Sequence, residues 1–149
     1  MKYGGLYSLV DDGKPSLFDK EYYAERNYKV LLVTGIANAE PLVDHLKKSF
    51  KHLEHIVYKD HHAYNPVDVQ RIVDACHKIP GENKIVLTTE KDAMRLMYPS
   101  LKDIYKEIPL FFISIEAWFH HDEYKTFKSG ILDYVRTNSP GLQLSSTPI

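Results

Sequence analysis

The chain predicts an α/β fold built on a mainly parallel sheet. Continuous β-branched and leucine-rich runs recur at residues 30–33, 84–87 and 110–115, and amphipathic, well-capped helical segments separate the strands. Strands that alternate with helices across short loops join parallel neighbours through right-handed crossovers. We therefore expect a single Rossmann-like lobe with about four core strands flanked by helices, plus an N-terminal β-hairpin.

Residues 1–28 form the hairpin and a connector. A strand over 6–10 leads into Asp11-Asp12-Gly13-Lys14, the Asp-Gly turn favoured in hairpins, and Leu17 and Phe18 begin the return strand. Residues 19–29 are charged and tyrosine-rich, as in a connector or short helix. The α/β lobe spans 29–137. Its first strand, 30–33, is apolar throughout, as a strand covered on both faces must be. Asn38 can cap the next helix, whose apolar side carries Leu42, Val43, Leu46 and Phe50.

A short strand follows at 56–58. Asn65 then reads as an N-cap, with Pro66 at the first helical position and Asp68 at the positive end of the dipole. Val69, Ile72, Val73 and Cys76 form the inner face of that helix, and Pro80-Gly81 ends it. The strand at 84–87 runs through Thr88-Thr89 into a helix over 90–97. After the strand at 110–115, Trp118 and Phe119 read as core or a covered edge. A last helix over 121–136 carries Tyr124, Phe127, Ile131, Tyr134 and Val135 on one side. Residues 138–149 are expected to be a flexible tail.

Composition limits what such a lobe does. A formal net charge of -1 and a pI near 6.7 give no electrostatic basis for bulk nucleic-acid binding. The single cysteine, Cys76, cannot form an internal disulfide and fits a reducing compartment. The start of the chain lacks the pattern of a signal peptide, and no apolar run is long enough to span a bilayer. The expected location is cytoplasmic.

Chemistry concentrates in Asp60-His61-His62, directly after the strand at 56–58. The carboxyl ends of strands are where open α/β sheets build their sites. A carboxylate beside an imidazole can fix its tautomer and raise its basicity. Adjacent residues on an extended segment point to opposite faces, so this run alone cannot close a metal site. The bland alternative is a loop histidine in a structural hydrogen bond.

Two further turns end core strands. Thr34-Gly35-Ile36-Ala37-Asn38 reads first as a tight strand-to-helix turn, although free N–H groups at a helix start can hold an anion. Thr89-Glu90-Lys91-Asp92 resembles a capping box with acids suited to the dipole, and Lys91 is its one cation. His52 and His55 lie at helical spacing and read as decoration of a solvated helix end. His120-His121 read as a cap or as solvent-facing. The sequence contains no Gly-x-x-x-x-Gly-Lys-[Ser/Thr] phosphate loop, no Gly-x-Ser-x-Gly elbow and no Cys-x-x-Cys pair.

Three segments together resemble one family. Val30-Leu31-Leu32-Val33-Thr34-Gly35-Ile36-Ala37-Asn38, followed by Pro41-Leu42, is similar to a segment of the tetraacyldisaccharide 4'-kinases, the lipid A 4'-kinases. Asp60-His61-His62-Ala63-Tyr64 looks like that family's Asp-His-His-x-aromatic motif. Leu87-Thr88-Thr89-Glu90-Lys91-Asp92-Ala93-Met94-Arg95-Leu96 resembles its Thr-Thr-Glu-Lys-Asp-Ala segment. The resemblance covers about the central half of the chain.

The resemblance implies an enzyme that moves the γ-phosphoryl group of ATP onto the 4'-hydroxyl of a lipid A disaccharide precursor. It implies work at the cytoplasmic face of the Gram-negative inner membrane by a chain of two α/β lobes. ATP and Mg2+ are then held mainly by an N-terminal P-loop lobe, and this sequence resembles only the C-terminal one, which is expected to be inactive alone. By the same resemblance, His61 faces the interlobe cleft and tunes an aspartate base of the other lobe. Asp60 supports it, and His62, Thr34, Gly35, Asn38, Thr89, Glu90, Lys91 and Asp92 line the cleft wall.

Asp-His-His is also the namesake motif of metal-dependent phosphoesterases. Those enzymes gather further aspartates from earlier strand ends, whereas the strand at 30–33 ends in Thr34-Gly35. A non-catalytic interaction module is the third alternative.

Overall fold

A computed structural model describes residues 2–116 together with residues 129, 130, 132 and 133. Residues 2–116 form one compact unit. The elements run β1 (Lys2–Ser8), β2 (Lys14–Pro15), α1 (Lys20–Glu25), β3 (Lys29–Thr34), α2 (Glu40–Lys47), β4 (Leu53–Val57) and α3 (Pro66–Lys78), then β5 (Lys84–Thr89), α4 (Glu90–Leu96), α5 (Pro99–Tyr105) and β6 (Leu110–Glu116).

The fold class matches expectation, with a larger sheet. All six strands join one sheet in the order β2-β1-β6-β5-β3-β4. Strands β3 to β6 are mutually parallel, and β1 runs antiparallel to both β6 and β2. The hairpin is therefore part of the sheet, and its register pairs Lys2 with Glu116 and Ser8 with Phe111. Its return strand is only Lys14–Pro15. The Ser16 N–H still donates to Leu6 O at 2.8 Å, but Leu17 and Phe18 fall in the bend that leads to α1 and are exposed.

Burial explains the apolar runs. Leu31 and Val33 face one side of the sheet, where they meet Val69, Ile72, Ala93, Leu96, Leu101 and Tyr105 from α3, α4 and α5. Val30 and Leu32 face the other side, against Tyr23 of α1 and Leu42, Leu46 and Phe50 behind β3. Each such aliphatic side chain contributes about 1.5–3 kcal/mol on full burial. A strand covered on both faces has no polar alternation left to show, so β3 and β5 read as continuous runs.

Local signals set most boundaries. At α3 the Asn65 side chain accepts from the Asp68 N–H at 3.0 Å, and the Asp68 carboxylate accepts from the Asn65 N–H at 3.2 Å. This is a complete capping box with Pro66 just inside it. Asn38 does not cap α2 as expected. The cap position falls to Ala39, while Asn38 Oδ1 accepts from the Glu40 N–H at 3.1 Å one step outside. The helix α5 was not anticipated. Tyr58 lies just past β4, which starts at Leu53 and includes His55, so that histidine belongs to a strand and not to a helix end.

Ser129, Gly130, Leu132 and Asp133 are helical. The remainder of the helix expected over 121–136, together with Trp118, Phe119, His120-His121 and the tail at 138–149, lies outside the described residues. Among the described residues, no helix is long and apolar enough to cross a membrane.

Candidate functional site

Strand order decides where a site forms. The chain leaves β3 to build β4 on one side, then crosses back to build β5 on the other side. The connections out of the adjacent strands β3 and β5 run in opposite directions, to β4 and to β6, so the carboxyl ends of this pair form the topological switch point where open α/β sheets place their crevice. Gly35 follows β3 there, and α4 starts directly from Thr89 at the end of β5. The loop after β4 folds over the same rim: the Tyr58 N–H donates to Thr34 O at 2.7 Å and the His61 N–H to Gly35 O at 3.1 Å. The three segments singled out in the sequence thus share one edge.

Asp92 binds them together. Its carboxylate is completely buried and takes two donors on each oxygen. Oδ2 accepts from the Gly35 N–H at 3.0 Å and from the Thr89 hydroxyl at 2.7 Å. Oδ1 accepts from the Tyr64 hydroxyl at 3.1 Å and from Arg95 Nη1 at 3.3 Å. The Thr89 hydroxyl in turn accepts from the Asp92 N–H, so the motif caps α4 without the reciprocal backbone bond of a full capping box. Burial, and secondarily the Asp92 carboxylate, push the Tyr64 hydroxyl far above the ordinary tyrosine range, which keeps it a donor.

Gly35 is required here for space. A Cβ at this position would lie 2.9 Å from Asp92 Oδ1 and 3.2 Å from the Tyr64 hydroxyl. Its N–H is already committed to Asp92. The turn is therefore a clasp between β3 and α4, and the Gly35 N–H is not free to bind an anion.

The two histidines part company. His61 has a positive φ of 57° and a side chain 76% exposed, with Asp60 beside it at 3.5 Å. Its Nδ1 lies 3.1 Å from Arg95 Nη2. His62 turns the other way: its Nε2 meets Asp68 Oδ2 at 2.7 Å, and its ring stacks on Tyr58 at 4.5 Å. His62 belongs to the α3 capping apparatus, so replacing it affects stability first. We expect His62→Ala to cost about 1–3 kcal/mol, the penalty for leaving a half-buried hydrogen-bonded carboxylate short of a partner. Urea unfolding checks this, and a midpoint equal to wild type would contradict it.

The other expected residues divide similarly. Thr34 is buried, and its hydroxyl pairs with His55 Nε2 at 2.8 Å. Burial, with a smaller contribution from Lys47, lowers the His55 pKa and favours the neutral ring. Glu90 and Lys91 are exposed at the start of α4, and Asn38 is exposed at the start of α2. Sequence reasoning gave Arg95 no role, read Tyr64 only as part of a motif and read Asp68 only as a helix-start acid. Arg95 reaches Gly35 across sixty positions and Tyr64 reaches Asp92 across twenty-eight, separations no local pattern reveals. Among the described residues, no group of three His, Cys, Asp or Glu side chains gathers closely enough to hold a metal ion.

Comparison with known proteins gives a consistent result. Residues 7–135 match the family described as tetraacyldisaccharide-1-P 4'-kinase. The chain is 34% identical over 139 residues to the tetraacyldisaccharide 4'-kinase of Phocaeicola vulgatus, covering 93% of this chain and 37% of that protein. The tetraacyldisaccharide 4'-kinase of Bacteroides thetaiotaomicron is 35% identical over 114 residues, which are 76% of this chain and 30% of that one. The enzyme of that name from Cytophaga hutchinsonii is 31% identical, with 86% and 37% covered. The chain thus spans about a third of the length of these curated relatives. No solved structure matches it significantly.

Proposed function

The chain belongs to the tetraacyldisaccharide-1-P 4'-kinase family, and from that premise we propose that it is the C-terminal lobe of a two-lobed lipid A 4'-kinase. The complete enzyme transfers the γ-phosphoryl group of ATP to the 4'-hydroxyl of a tetraacyldisaccharide 1-phosphate at the cytoplasmic face of the Gram-negative inner membrane. In the transfer, the 4'-oxygen bonds to the γ-phosphorus, the bond to the bridging oxygen of ADP breaks, and the hydroxyl proton passes to a base. That base is an aspartate of the N-terminal P-loop lobe, and His61, supported by Asp60, orients it.

The observation that carries this reading is an exposed imidazole fixed at the rim of the switch-point crevice, beside a rigid clasp. Such a group suits phosphoryl transfer, where positioning and electrostatics supply most of the catalysis. The described residues do not fit the phosphates of ATP or Mg2+. The Gly35 and Asp92 N–H groups are taken by Asp92 and Thr89 side chains, and no acidic cluster is present among the described residues. We therefore assign ATP and Mg2+ to the other lobe. Neither the phosphoesterase nor the interaction-module alternative gains support from this geometry.

The test is direct. The 149-residue chain, supplied with ATP, Mg2+ and acceptor, is expected to form no phosphorylated product, and calorimetry is expected to find no micromolar affinity for ATP. Metal-dependent turnover by the pure chain would sink the proposal.

A further inference from the structure

We propose that Arg95 is the positioning residue of His61: it locks the imidazole as the tautomer that carries its proton on Nε2, so that the ring offers the crevice a donor only. A guanidinium donates hydrogen bonds and cannot accept them. With Arg95 Nη2 3.1 Å from His61 Nδ1, Nδ1 must be the lone-pair nitrogen, and Nε2 holds the hydrogen. That N–H lies 3.5 Å from Asp60 Oδ2 on a ring otherwise open to solvent.

Arg95 is itself held in place. Its Nη1 donates to Gly35 O and to Asp92 Oδ1, both at 3.3 Å, and only 24% of its side chain is exposed. Gly35 O also accepts the His61 N–H, so the ring and the backbone of His61 are both referenced to one peptide. His61 adopts a left-handed conformation uncommon outside glycine, consistent with a residue fixed from both ends. An imidazole held this way keeps its proton during transfer. It is matched to a carboxylate base or a phosphoryl oxygen, and the substrate proton must leave by another route.

The catalytic consequence rests on the kinase reading, but the tautomer does not, so two readouts separate them. Long-range proton–nitrogen NMR of the His61 ring, in mildly alkaline buffer, is recorded for the 149-residue chain, for Arg95→Lys and for Arg95→Met. We expect a single Nε2–H tautomer in the wild type and in Arg95→Lys, which still donates, and an averaged mixture in Arg95→Met. A protonated Nδ1 in the wild type overturns the proposal, as does an unchanged single tautomer in folded Arg95→Met.

Kinetics on the full-length enzyme supplies the second readout. Arg95→Met should lower kcat by about ten- to a hundred-fold with KM unchanged, the size of effect seen when a metal-ligating histidine loses the partner that orients it. Arg95→Lys should recover part of that loss. The double variant with His61→Ala should be no slower than His61→Ala alone. Additive losses mean that Arg95 acts independently of His61, and the proposal fails. Full activity of His61→Ala with the NMR pattern intact instead refutes the kinase role of His61 and leaves the tautomer assignment standing.

Discussion

In the full-length enzyme, His61→Ala is expected to lower turnover by about ten- to ten-thousand-fold, the range for loss of acid–base assistance. The acceptor KM should stay near the wild-type value, because the lost interaction belongs to the transition state. The melting temperature should change little. The His61 side chain is three-quarters exposed, and its nearest partner, Arg95, keeps its bonds to Gly35 and Asp92 without it. Steady-state kinetics beside a thermal melt decides the matter. Unaltered turnover, or a loss accounted for by unfolding, would return the Asp-His-His run to a purely structural role.

The largest effect on stability is expected at Asp92. Asp92→Ala leaves the Gly35 N–H, the Thr89 and Tyr64 hydroxyls and the Arg95 guanidinium without their common acceptor, at a site fully shut from water. Removing one member of a buried charged pair costs about 3–5 kcal/mol, a large share of the ~5–15 kcal/mol that holds a domain together. Asp92→Asn should lose nearly as much, since its amide nitrogen would face donors whichever way it turns. Glu90→Ala, on the exposed start of the same helix, should shift stability by only about 0.5 kcal/mol. Denaturant unfolding of the three variants tests this, and an Asp92→Ala midpoint matching that of Glu90→Ala would refute the clasp.

The sequence displayed what depends on neighbours along the chain. β3 and β5 were readable because burial on both faces removes polar residues from the strand. The start of α3 was readable because Asn65, Pro66 and Asp68 lie within one turn. β4 was harder. Glu54 and His55 interrupt its apolar character because it is the outermost strand of the sheet, so His55 took on the look of a helix residue. α5 was overlooked although Pro99 opens it and Leu101 and Tyr105 stand four apart on its buried face.

The site was legible as three motifs but not as a mechanism. Asp60 and His61 could be located at a strand end, yet nothing near them in sequence announces Arg95. Gly35 reads in the sequence as part of a tight strand-to-helix turn, whereas its role depends on how closely the Asp92 carboxylate approaches from α4. The resemblance places His62 only on the cleft wall, and the fold commits its ring to Asp68 and Tyr58.

The seat of β1 in the sheet has a consequence in time. Of the six strands described in this sheet, β1 is the first to leave the ribosome, but the neighbour it needs, β6, is the last of them to be made. β3, β4 and β5 can pair with one another while synthesis continues. The hairpin of β1 and the two-residue β2 must wait, and so short a hairpin is at best marginally stable alone. Leu6 and Leu9, buried at the end, stay uncovered until β6 arrives. That interval is when a nascent chain is most open to chaperones and to pairing with a neighbour's unfinished sheet.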